Sequence, residues 1–176
     1  DHSHEIDLLA INDSAPVETN LHLLKYDSIH GTLAVKMEKI NSYLFKKNKK
    51  QIKKFSSEDP KDIPWGELGI DLVLECTGQF KTVDALTLYL DAGISQVVVS
   101  APIKVPEVLN VVMGVNQTLF SAEKHPIVTA ASCTTNCIAP VIQVIHETFG
   151  IRHGSITTVH DITNTQTILD LSLIHI

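Results

Sequence analysis

Cys133 and His160 are the two side chains equipped for covalent chemistry, and each stands where the sequence pattern changes. The run Pro126-Ile127-Val128-Thr129-Ala130 is short, β-branched and proline-led, the signature of a buried strand. Beyond Ala131-Ser132-Cys133-Thr134-Thr135-Asn136-Cys137, the apolar residues Ile138, Val141, Ile142, Ile145 and Phe149 repeat at helical spacing until Gly150 ends them. Cys133 is therefore expected at a strand-to-helix junction. There the N–H groups of the first helical turn and the positive end of the helix dipole favour thiolate over thiol. His160 lies 27 residues further on and heads a polar cluster after the β-branched residues 155–159, which read as a strand. One helix, a turn and a returning strand fit in that interval, so the spacing allows a thiolate–imidazole pair. The same residue types also suit a small buried cysteine with a satisfied strand-end histidine, or the nucleophile and base of a cysteine hydrolase.

The elements that must carry this pair follow from periodicity. Residues 6–11 read as a buried strand and residues 16–24 as a helix begun by the turn at Asp13 and Ser14. Residues 33–55 alternate apolar and polar, as antiparallel excursion strands do, and residues 60–69 mark a turn and short helix. Residues 70–76 form a strand, Thr77-Gly78 a tight turn, residues 83–90 a helix and residues 96–100 another strand. Such alternation predicts an α/β fold with a parallel sheet. Ligands bind such sheets at the carboxyl ends of the strands. Asp13 falls at one such end, where a carboxylate accepts the two hydroxyls of an adenine ribose and repels a 2′-phosphate; an ordinary helix cap is the competing role. Thr77 and Gly78 allow close backbone approach of a ligand, and Ser100 is a small polar residue at the next strand end; all three also serve as plain turn residues.

Composition narrows the classes. The 176 residues are 44% hydrophobic, enough for one good core, and carry a net charge of −6. The basic residues gather mainly between positions 46 and 54, where Lys46-Lys47-Asn48-Lys49-Lys50 reads as a solvated hairpin tip, so neither nucleic acid nor an acidic membrane surface is an expected partner. No apolar run approaches the roughly 20 residues of a membrane span and no signal peptide opens the chain, which points to the cytoplasm. Three cysteines, at 76, 133 and 137, suggest reduced thiols, with Cys137 expected as a packing residue inside its helix. No metal site is expected, because further ligands at zinc-like spacing are missing.

The segment Ser132-Cys133-Thr134-Thr135-Asn136-Cys137-Ile138-Ala139-Pro140 resembles the nucleophile segment of phosphorylating, NAD-dependent glyceraldehyde-3-phosphate dehydrogenases. Asn12-Asp13, Leu23-Leu24-Lys25-Tyr26-Asp27-Ser28-Ile29-His30-Gly31, Glu75-Cys76-Thr77-Gly78, Val99-Ser100-Ala101-Pro102, Gly114-Val115-Asn116 and Thr157-Thr158-Val159-His160 resemble further family segments in the family's order, across roughly residues 5–170. The resemblance implies NAD as cofactor, with Asn12, Asp13, Thr77, Gly78, Ser100 and Asn136 around it. It implies Cys133 as nucleophile and His160 as base. Ser132, Thr134 and Thr163 would then place the phosphorylated aldehyde and inorganic phosphate. It also implies a homotetrameric parent enzyme.

Asp161-Ile162 departs from the small and aromatic residues that follow the histidine in most housekeeping members; the run 161–166 is more similar to a bacterial branch associated with arsenic resistance, in which arsenate replaces phosphate. Erythrose-4-phosphate dehydrogenase shares the same thiolate, histidine and cofactor and stands as a rival reading, as does a fragment without turnover. The resemblance implies an incomplete Rossmann-like doubly wound parallel sheet: residues 1–132 form an NAD-binding domain lacking its first strand and Gly-rich turn, and residues 133–170 the opening helix and strand of an α+β catalytic domain. Residues 171–176, Leu-Ser-Leu-Ile-His-Ile, resemble read-through of a sequencing adapter and are set apart from the fold.

Overall fold

The computed structural model describes residues 5–160. The chain divides into two compact units, one ending at Ser132 and one beginning at Cys133.

The first unit starts with strand β1 (Ala10–Asn12) and helix α1 (Val17–Lys25), followed by the two-residue strands β2 (Tyr26–Asp27) and β3 (Gly31–Thr32), which pair as a small ribbon. β4 (Met37–Asn41), β5 (Leu44–Lys47) and β6 (Lys50–Phe55) form an antiparallel meander, and β6 closes it by pairing parallel to β1. The sheet order is therefore β1-β6-β5-β4. Alternation along β6 explains the pairing. Ile52 turns inward to meet Phe45 of β5 and Val17 of α1, all three nearly inaccessible, while Lys53 faces out. The basic run does form the β5–β6 hairpin tip, where Asn48 takes a left-handed φ of 56° and Lys50 reaches Asp7 at 2.6 Å.

β7 (Leu72–Glu75), α2 (Val83–Asp91), β8 (Gln96–Val99), β9 (Leu109–Asn110) and β10 (Ile127–Thr129) build the second sheet, ordered β7-β8-β10-β9 and parallel throughout. Parallel strands need covered faces, and one face supplies the main core: Leu86 and Tyr89 of α2 pack with Val73, Val97 and Val99 of the strands and with Ile63 and Trp65 of the preceding short turns. Thr82 caps α2 by accepting the N–H of Ala85. The sequence suggests an incomplete doubly wound parallel sheet, and among the described residues the strands form two four-stranded sheets, with β1 and β7 each bonded on one side. Strand pairing joins residues some 40 positions apart, which periodicity within a window does not register.

The second unit is the long helix α3 (Cys133–Phe149) and the chain that follows it. Gly150 stops the helix with φ 73°, its N–H bonded to the His146 carbonyl. Residues 155–160 do not form the strand that their β-branched composition suggests, because a strand exists only where a neighbouring ladder pairs it, and none does so among the described residues. Cys137 is exposed on α3 rather than packed. No helix among the described residues is long and apolar enough to cross a membrane.

Candidate active site

Cys133 is the first residue of α3, and His160 ends the described chain. The His160 Nε2 lies 3.1 Å from the Cys133 Sγ. The hydrogen bond from His160 is the largest influence and holds the thiol below its ordinary pKa; desolvation, next in size, opposes it, and the Thr134 N–H and hydroxyl and the charge of the imidazole add smaller effects in the lowering direction. With sulfur as thiolate, Nε2–H donates to it, and the first-turn N–H of Thr134 supplies the helix-terminus contact. Cys133 is exposed, so an electrophile reaches the sulfur from solvent. An exposed thiolate beside an imidazole can add to a polarised carbonyl and pass protons through the ring.

The other expected site residues fall into distinct settings. Thr134 directs its N–H and hydroxyl to the Cys133 sulfur. Ser132 precedes the helix, half-buried, and Asn136 is exposed in its first turn. Thr163 lies outside the described residues. In the first unit Asp13, Thr77 and Ser100 sit just past the carboxyl ends of β1, β7 and β8, all exposed. The Asp13 carboxylate accepts the N–H of Ala15 at 2.7 Å, an Asx turn leading into α1. Asn12 is different: its Nδ2 donates to the Ser57 carbonyl at 2.9 Å and its Oδ1 accepts the Ser57 N–H at 3.0 Å. Both ends of that amide take part in clamping β1 to the loop after β6, next to Asp13. Gly78 has φ 70°, and a Cβ there would meet no atom within 4 Å. The backbone is thus laid open to a ligand at that point. A carboxylate acceptor and an open glycine at parallel strand ends fit a dinucleotide with unmodified ribose hydroxyls.

Sequence reasoning missed a polar network behind the nucleophile segment. Thr129, fully buried, donates to the Asn110 Oδ1 at 2.6 Å and accepts the Ala131 N–H at 3.0 Å. Ala131 takes φ 56°, unusual for a residue with a side chain, two positions before the nucleophile. Asn110 also brackets Ile103 with bonds of 3.2 and 2.8 Å. Partners seven to nineteen residues apart leave no local motif, and only the buried threonine in an apolar strand offered a signal.

The chain combines a parallel α/β sheet with open strand ends, the architecture of a nucleotide-binding domain, and, next in sequence, a helix whose first residue is a thiol 3.1 Å from an imidazole nitrogen. The family described as glyceraldehyde 3-phosphate dehydrogenase, NAD binding domain, matches residues 1–83, and its C-terminal domain matches residues 132–174. The chain belongs to the glyceraldehyde-3-phosphate dehydrogenase family. It is 50% identical over 150 residues to glyceraldehyde-3-phosphate dehydrogenase 3 of Nostoc sp., covering 85% of this chain and 44% of that protein. It is 44% identical to the glyceraldehyde-3-phosphate dehydrogenase of Geobacillus stearothermophilus and 45% identical to that of Thermotoga maritima, each over 167 residues, 95% of this chain and 49% of the relative. The chain spans about half the length of the curated relatives it matches. None of these names favours the erythrose-4-phosphate reading.

Proposed function

We propose that this chain carries the nucleotide-binding domain and the nucleophile of an oxidoreductase that converts glyceraldehyde 3-phosphate to 1,3-bisphosphoglycerate. The observation that carries the reading is the 3.1 Å approach of the His160 Nε2 to the Cys133 Sγ at the start of α3. The Cys133 thiolate adds to the aldehyde carbon, forming a carbon–sulfur bond and a thiohemiacetal. The developing oxyanion is held by the imidazole N–H and the Cys133 backbone N–H. His160 then takes the hydroxyl proton as the carbon is oxidised, leaving a thioester on Cys133. NAD, when bound, supplies the hydride acceptor, with Asp13 at the ribose, Gly78 and Ser100 along the nucleotide and Asn136 at the nicotinamide side. Inorganic phosphate attacks the thioester carbonyl, the carbon–sulfur bond breaks and the Cys133 thiolate is restored. Ser132, Thr134 and Thr163 serve the phosphate groups, and arsenate, a tetrahedral oxyanion of similar shape, suits the same acceptor position. The parent enzyme is a cytoplasmic homotetramer in this reading.

Purified protein incubated with NAD, glyceraldehyde 3-phosphate and phosphate tests the proposal. NADH formation that is lost in Cys133→Ser supports it. NADH formation that survives Cys133→Ser removes the cysteine mechanism. The absence of NADH together with equal alkylation of all three cysteines leaves a chain without this chemistry.

A further inference from the structure

Glu75 is an acid in an apolar strand, only 3% exposed, and none of the chemistry above uses it. Its Oε1 accepts both the N–H of Thr77, at 2.7 Å, and the hydroxyl of Thr77. Its Oε2 accepts the hydroxyl of Tyr89, itself 4% exposed on α2. All of these partners are donors, so the group works as a carboxylate that fills both oxygens. Burial, and then the bond to Glu75, raise the Tyr89 phenol above its ordinary pKa, which keeps it a donor. The Thr77 oxygen in turn accepts the N–H of Gln79 at 3.1 Å, and the main-chain carbonyl of Glu75 accepts the N–H of Ser100 at 2.9 Å. One residue therefore ties together the turn through Gly78 and the strand end at Ser100, two segments expected to face the nucleotide. The Thr77 hydroxyl donates its hydrogen bond to Glu75 and cannot donate to a ligand while this arrangement stands.

We propose that Glu75 is a positioning residue for the cofactor: its carboxylate, braced by Tyr89, sets the turn Thr77-Gly78-Gln79, and the Thr77 hydroxyl serves that turn instead of binding the nucleotide. The Gly78 backbone is then the part of the turn left to meet the ligand. The proposal rests on the nucleotide-binding reading of these strand ends.

The test compares the whole chain with Glu75→Met, which removes both acceptors, with Glu75→Gln, which keeps an oxygen for Thr77, with Thr77→Val, and with the double variant Glu75→Met/Thr77→Val. Amide hydrogen exchange at residues 77–79 reads the turn, calorimetric titration reads NAD affinity, and emission of the sole tryptophan, Trp65, whose ring lies tilted to that of Tyr89 with centroids 5.9 Å apart, reads the core. Glu75→Met is expected to speed exchange at Thr77 and Gln79 and to weaken NAD binding by about tenfold or more, as loss of hydrogen bonds to a charged acceptor does. Glu75→Gln stays near wild type, and the double variant binds no more weakly than the weaker single. Losses that multiply in the double variant would show the hydroxyl acting on the nucleotide directly and overturn the proposal, as would unchanged exchange in Glu75→Met. If the wild-type chain binds no NAD, the nucleotide reading fails and the positioning role falls with it, while exchange at residues 77–79 still shows whether Glu75 sets the turn. If Glu75→Met fails to fold, Thr77→Val decides: faster Gln79 exchange supports the proposal and unchanged exchange contradicts it.

Discussion

Substituting Gly78 by alanine separates the cost of a strained backbone from the cost of a blocked ligand. Gly78 sits at φ 70°, where an L-residue with a side chain is disfavoured by about 1–2 kcal/mol. Alanine recovers part of this by restricting the unfolded chain, about 0.4–1 kcal/mol. No atom lies within 4 Å of the added Cβ, so no packing term joins the sum. The expected loss of stability is therefore about 1 kcal/mol, read from urea unfolding followed by Trp65 fluorescence. On the ligand side the same open space is where a nucleotide would lie, and a methyl group forced into a filled contact costs about 1–3 kcal/mol, or roughly a 5- to 150-fold loss of NAD affinity. Gly93→Ala provides the control. Gly93 has φ 93° and its Cβ would lie 3.3 Å from the Gly66 Cα, so strain and crowding add to about 2 kcal/mol or more, with NAD affinity unchanged. An unchanged NAD affinity in Gly78→Ala, or a destabilisation as large as that of Gly93→Ala, would contradict an open, ligand-facing backbone at this turn.

Other perturbations address the core, the buried network and the thiol. Leu86→Ala empties a fully buried position between α2 and the parallel sheet and should cost about 2–5 kcal/mol in urea unfolding; a cost below about 1 kcal/mol would show that α2 is not packed there. Thr129→Val leaves the buried Ala131 N–H without its acceptor and takes one of two donors from the Asn110 Oδ1, which keeps the Ile103 N–H; the expected loss is about 1–3 kcal/mol in the same assay, and a neutral result would show that this hydroxyl does not hold the turn. His160→Ala removes the largest influence holding the Cys133 thiol down, so alkylation at pH 7 should slow, by up to about thirtyfold if ionisation returns to the few per cent of a free cysteine. An unchanged rate would show that the imidazole does not act on the sulfur.

Much of this was legible because it is local. Val83 to Asp91 and Cys133 to Phe149 are helices with apolar residues at the spacing their sequences carry, and the strands at 72–75, 96–99 and 127–129 lie inside the runs that their β-branched residues mark. The placement of Cys133 at a helix start also follows from sequence alone. Three things did not. The parallel return of β6 onto β1 is a pairing between residues such as Ile11 and Lys54, far apart in the chain. The engagement of Asn12 with Ser57 spans 45 residues, so no local motif shows that this side chain also clamps β1 to the loop after β6. Residues 155–160 have strand composition without a strand partner among the described residues, and β propensity without a ladder leaves the backbone unassigned. Glu75 shows the same limit from the other side: an acid flanked by Leu74 and Cys76 is visible as an anomaly, but its three donors emerge only once Thr77 and Tyr89 are in place.

The pH dependence of alkylation, measured for all three cysteines in one sample by iodoacetamide labelling and peptide mass spectrometry, tests the central claim most directly. Cys76 and Cys137 are exposed free thiols like Cys133 and act as internal references. Because the imidazole and the Thr134 donors lower the pKa of Cys133, its rate should reach half-maximum at a lower pH than theirs, and it should be the first to label at neutral pH. A common midpoint and common rates for the three cysteines would contradict the activated nucleophile.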